Sequence, residues 1–155
     1  MSKSGFVYVT YIRTTPDKLW QALTTPEFIR QYWFGAVAES EWTAGSPWKL
    51  LLRDGGLADS GEILEVVPQR KLVIRWLNEW SPEFKAEGPS RCTMEIEPVA
   101  DVELPAVKLS ITHEIEHADS GFIGTVSNGW PRILSNLKSL LETGAILLNP
   151  AKKPG

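Results

Sequence analysis

Cysteine occurs once among the 155 residues, and histidine and methionine twice each. A lone Cys92 excludes an internal disulfide and any zinc site built from several cysteines. Nowhere does an apolar run approach the roughly 20 residues that a membrane-spanning helix needs. The opening Met-Ser-Lys-Ser-Gly lacks the apolar stretch of a secretory signal, so cytoplasmic residence is the expectation. Neither sign of charge dominates: a net charge of −3 offers no general attraction to nucleic acid or anionic lipid. Nucleophile elbows, phosphate-binding glycine loops and dinucleotide fingerprints are missing as well, which leaves Asp54-Gly55-Gly56 as a hairpin signal. Neither a cofactor nor a metal is expected, and no catalytic pair stands out.

Apolar residues make up 43% of the chain, enough at this length for one core without covalent staples. One domain is expected over residues 1–148, with a disordered tail over 149–155. Seven tryptophans supply large contact area to a core or to a small-molecule pocket. Phe6 to Arg13, rich in β-branched and aromatic residues, reads as a first strand. Thr15-Pro16 then supplies an N-cap and a first-turn proline, and Thr25-Pro26-Glu27 repeats that grammar, predicting two short helices. Alternation follows. Trp48, Leu50 and Leu52 share a strand face, as do Leu72, Ile74 and Trp76, then Cys92, Met94 and Ile96, and finally Val107, Leu109, Ile111, His113, Ile115 and His117. Asn78 to Pro89 reads as a long loop, and Gly121 to Asn128 as a connection. From Gly129 to Gly144 the text is helical, with Trp130, Ile133, Leu134, Leu137, Leu140 and Leu141 on one face and Pro131 in the first turn or at a kink. Helices on one side of an antiparallel sheet make an α+β fold, and a helix laid across a curved sheet can enclose a pocket.

Several of these stretches are familiar in combination: Thr15-Pro16 with Leu19-Trp20-Gln21-Ala22-Leu23-Thr24, Pro26-Glu27, Tyr32-Trp33-Phe34-Gly35, Gly61-Glu62 with Glu65, and Gly129-Trp130 through Gly144. Together they resemble the bacterial branch of the activator-of-heat-shock-ATPase-homologue-like family, within the START and birch-pollen-allergen (SRPBCC) superfamily. The resemblance spans nearly the whole chain. It implies a helix-grip fold: a curved antiparallel sheet wrapped around the long C-terminal helix, two short helices after the first strand, and a cavity between sheet and helix. Superfamily cavities take lipids, polyketides, hormones and other apolar molecules, and some members are cyclases or hydroxylases. Eukaryotic chaperone activators of the family carry an additional N-terminal chaperone-binding domain, whereas this chain opens directly on the first strand.

Candidate ligand-binding residues follow from the inward faces. The sheet contributes Trp48, Leu50, Trp76, Met94, Ile111 and His113, the helix contributes Trp130, Ile133, Leu134 and Leu137, and Trp33 with Phe34 would line the mouth. His113 is either a core histidine satisfied by its neighbours or a group that orients a ligand. On a strand, His113 and His117 lie about 13 Å apart, too far to share one metal ion. Glu65 joins the site only if Ile63 and Val67 face inward; otherwise it is an outward partner of Arg75 or another base. Trp42 and Trp80 sit in loop or edge contexts, where one or both could form a homodimer contact. Binding of a small apolar or aromatic molecule ranks first. A protein-interaction role with a chaperone partner comes second, and catalysis of a cyclase or hydrolase type, through Glu65 or His113, third.

Overall fold

The computed structural model describes residues 3–149. Of the tail expected over 149–155, all but Asn149 lies outside the described residues. Seven strands form one antiparallel sheet in the order β1-β7-β6-β5-β4-β3-β2. They are β1 (Ser4–Ile12), β2 (Val37–Ser40), β3 (Pro47–Leu51), β4 (Leu57–Val67), β5 (Lys71–Asn78), β6 (Ser90–Pro98) and β7 (Val107–Ile115). The helices are α1 (Pro16–Thr24), α2 (Pro26–Tyr32), α3 (Pro82–Ala86) and α4 (Gly121–Thr143). The sheet is curved, and α4 lies across it against β1 and β7 with α2 beside it. This is the helix-grip arrangement, α+β in class. Among the described residues no helix is long and apolar enough to cross a membrane.

The Thr-Pro grammar works as expected. The Thr15 hydroxyl accepts the Lys18 N–H at 3.3 Å and Pro16 opens α1, while α2 starts on Pro26 without a side-chain cap at Thr25. The Tyr32 hydroxyl donates to the Ala22 carbonyl at 2.9 Å, tying α2 to α1. Two helical readings are corrected. α3 occupies part of the stretch expected to be a loop, because Ser81-Pro82 repeats the cap-and-proline start, with the Ser81 hydroxyl accepting the Phe84 N–H at 3.4 Å. α4 begins at Gly121, eight residues before the expected start, so Gly121 to Asn128 is helix and Pro131 is interior. Its N-terminus is held by tertiary partners as well as local ones. The Ser120 hydroxyl accepts the Ile123 N–H at 3.0 Å, and the Glu87 carboxylate accepts the Gly121 and Phe122 N–H groups at 3.1 and 3.4 Å. Gly144 closes the helix at φ 85°, a left-handed cap for which glycine is suited.

Two bulges set the inner face. In β4 the register shifts between Ile63 and Glu65, so that Ile63 opposes Ile74 and Val66 opposes Leu72. The extra residue lets Ile63 and Val66 both turn inward and sends Glu65 to the outer face with Val73 and Lys71. A second shift, between Leu50 and Leu51, places Leu50, Asp59 and Asn78 in one cross-strand row beside the row Trp48, Gly61 and Trp76. Gly61 has no substitute there: a Cβ would lie 1.7 Å from the Arg75 carbonyl oxygen.

Candidate functional site

Four indoles converge in the interior, Trp48 from β3, Trp76 from β5, Trp33 from the end of α2 and Trp130 from α4. Trp48 and Trp76 meet across Gly61 at 4.4 Å between centroids, and Trp33 and Trp130 close over them at 5.2 Å from each other. Beneath the middle of α4 the interior is nearly full, with a residual space of about 20 Å³ among Trp48, Ile74, Met94, Leu134 and their neighbours. The hollow lies further along, under the N-terminal half of α4, with a volume of about 190 Å³. Asp59, Trp76, Phe122 and Trp130 are buried in its floor and walls, together with Leu50 and Ile133, whereas Trp33, Asn78, Thr125, Val126 and Gly129 form a partly exposed rim.

Of the expected site residues, Trp33, Leu50, Trp76, Trp130 and Ile133 line this hollow. Trp33, Trp76 and Trp130 also border the small inner space, as do Trp48, Met94 and Leu134. Phe34, Glu65, Ile111, His113 and Leu137 line neither. Phe34 leaves α2 at φ 52° and lies beneath the Arg132 guanidinium, 5.8 Å from its ring centroid. Ile111 and Leu137 are fully buried core. Glu65 pairs with Lys71 at 3.3 Å on the outer face. Trp42, at φ 57°, turns inward against the core, which leaves Trp80, 68% exposed, as the outward tryptophan of that pair.

His113 is fully buried and its ring is engaged on both sides. The Trp130 indole N–H donates to Nδ1 at 3.2 Å. Nε2 must then carry the proton, which it gives to the Ser90 oxygen at 2.8 Å, and Ser90 passes its own hydroxyl to the Trp76 carbonyl at 3.0 Å. Desolvation drives the imidazole pKa down to about 3, so it is neutral. No lone pair or proton is left over for a ligand. His117 is exposed in the turn after β7. Burial likewise pushes the Cys92 thiol up, away from nucleophilic use.

Asp59 was not a candidate from sequence, yet it is the charged group of the hollow. It is 6% exposed, and its carboxylate accepts the Asn78 amide at 3.3 Å. Desolvation pushes its pKa up to about 6, opposed by the neighbouring Trp76 and Asn78 donors and assisted by the charge of Glu79. The Trp76 N–H is near enough to favour the charged carboxylate but falls outside hydrogen-bond geometry, and it has no partner. An unbulged hairpin about Asp54-Gly55-Gly56 would have set Ala58 opposite Leu50; the register shift puts Asp59 there. Phe122, Thr125 and Val126 are not legible as site residues from sequence, because the glycines and polar residues of Gly121 to Asn128 resemble a connection although they form the first turns of α4.

The sequence model of the Activator of Hsp90 ATPase homolog 1-like family matches residues 13–142. No curated protein matches the sequence. Among solved structures, protein MLL2253 from Mesorhizobium loti is similar with a TM-score of 0.75 and 24% identity, over 90% of this chain and 97% of that one. The Aha1 dimer from Colwellia psychrerythraea gives 0.71 and 20% identity, over 91% and 98%. PFC0360w, an HSP90 activator from Plasmodium falciparum, gives 0.66 and 23% identity, over 88% and 95%.

Proposed function

The chain belongs to the Activator of Hsp90 ATPase homolog 1-like family, and from that membership and the geometry of the hollow we propose that it binds a small apolar or aromatic molecule between sheet and α4, without converting it. The observation that carries this reading is a 190 Å³ space walled by indole and phenyl rings and bordered by a partly exposed rim. An apolar cavity of about 150 Å³ holds benzene, so the space suits a single-ring guest with a short substituent. Burying such a guest gains about 25 cal/mol for each Å² removed from water, before the costs of association. The reading assigns no residue a catalytic role, and it places the protein in the cytoplasm.

The test is titration of intrinsic tryptophan fluorescence with a panel of single-ring compounds, run on the wild type and on Gly129→Phe. A Cβ on Gly129 meets nothing within 4 Å and the residue lies on the rim of the hollow, so a phenyl ring there is expected to occupy the mouth. Saturable quenching in the wild type, lost in a variant of unchanged circular dichroism, is the expected result. A wild type that saturates with no member of the panel overturns the reading.

A second reading is regulation of a chaperone ATPase through the surface. One structural neighbour is described as an HSP90 activator and another as a dimer, and edge strand β1 carries Val7, Val9 and Tyr11 outward, 62%, 43% and 55% exposed. Co-sedimentation with a chaperone and a change in its ATPase rate would support this role; an unchanged rate at saturating protein would remove it.

A further inference from the structure

The hollow is chemically lopsided. Its walls are aromatic and its floor carries one carboxylate, Asp59. A buried carboxylate needs a cation or several N–H donors to replace the water it has lost. Asp59 has one hydrogen bond, from Asn78, with the Trp76 N–H nearby but outside bonding geometry, and it takes part in no ion pair among the described residues. Lys85 is held by Glu79 at 2.6 Å, and the Glu79 charge works against that of Asp59. Negative charge at the floor therefore has no countercharge at neutral pH, where the carboxyl is ionised.

The rings extend that bias. Trp33 and Trp76 lie 6.2 Å apart and Trp76 and Trp130 5.9 Å apart between centroids, beside the carboxylate. Aromatic faces attract cations, most strongly where water is excluded. A neutral hydrocarbon in this space would strip the remaining water from Asp59 and return nothing, and an anion would be repelled outright. An ammonium group would instead supply the missing charge and donate hydrogen bonds to the carboxylate, while its carbon body covered the indoles.

We infer that the hollow selects small organic cations, with an ammonium group seated on Asp59 and a single-ring or short alkyl body against Trp33, Trp76 and Trp130. This rests on the binding reading above and adds to it the charge class of the ligand. Asp59 is the specificity-determining residue and the tryptophans supply most of the contact area.

Three probes of matched shape test it in the wild type by fluorescence titration at neutral pH: phenethylamine, its neutral hydrocarbon counterpart propylbenzene, and the anion phenylacetate. The amine is expected to bind roughly tenfold to a hundredfold tighter than propylbenzene, with phenylacetate weakest. In Asp59→Asn, which keeps the side-chain shape, that preference should collapse while propylbenzene binds at least as well as before. Equal or tighter binding of propylbenzene by the wild type overturns the cation assignment and leaves the binding reading standing. An amine preference that survives Asp59→Asn overturns the role of Asp59. Absence of saturable binding by all three probes removes the charge class and, together with a silent wider panel, the pocket reading as well. The wild-type comparison requires no variant to fold.

Discussion

Two buried ionisable side chains near the Trp76 indole, Asp59 and His113, respond to pH in opposite directions. Asp59 binds its proton more tightly folded than unfolded, with a pKa of about 6 against 3.8. Its contribution is therefore most favourable below the unfolded value and is lost as pH rises through the folded one. Asp59→Asn removes that loss. Relative to the wild type, the variant should gain on the order of 2–3 kcal/mol between pH 4 and pH 7, measured by urea unfolding at each pH. His113 has its folded pKa depressed to about 3 from 6.5, so its contribution is present above the unfolded value and is lost as pH falls toward the folded one. His113→Phe leaves the Trp130 N–H unpaired and takes a donor from Ser90, at a cost of about 1–3 kcal/mol at pH 7. The same variant should flatten the acid limb of the stability profile between pH 6.5 and 3. Glu65 shows how an identity can be read while its direction is not: a single bulge decides which face a strand residue occupies.

At the scale of elements, α4 combines strong caps with a weak middle. Pro131 offers no N–H to the Ser127 carbonyl one turn earlier, and Gly124 and Gly129 flank the same stretch. Nothing lies within 4 Å of a Cβ placed on Gly124. Gly124→Ala should therefore stabilise the protein by about 0.5–1 kcal/mol, read as a rise in the urea midpoint at constant m-value. Ser120→Ala should cost about 1 kcal/mol by removing the cap on Ile123 and a partner of Glu87. The second half of α4 was legible from its apolar period. Its first half was not, because Phe122, Ile123 and Val126 are spaced among glycines and polar residues, and its cap partner Glu87 lies on a segment remote in sequence. α3 was concealed by its brevity.

For the whole molecule, we propose that residues 1–148 form one domain, and a single cooperative transition with coincident fluorescence and circular dichroism curves is its expected signature. Asn136 supports that unity. Fully buried on α4, it donates to the Leu148 carbonyl at 3.2 Å and accepts the Leu148 N–H at 2.6 Å, binding the chain after α4 back onto the helix. The periods of two and three-to-four, the repeated Thr-Pro starts and the turn residues determined by themselves which segments became most of the strands and the principal helices, and hence the α+β class. Each is a local property, written in neighbours a few positions apart. Only the tertiary structure decided where space was left. The hollow lies under the end of α4 because four indoles fill the middle, and its charge is Asp59 because a register shift turned that residue, rather than Ala58, toward Leu50. Side-chain volume summed across five separate segments and strand register set by bulges are cooperative outcomes, and no pattern within one segment contains them.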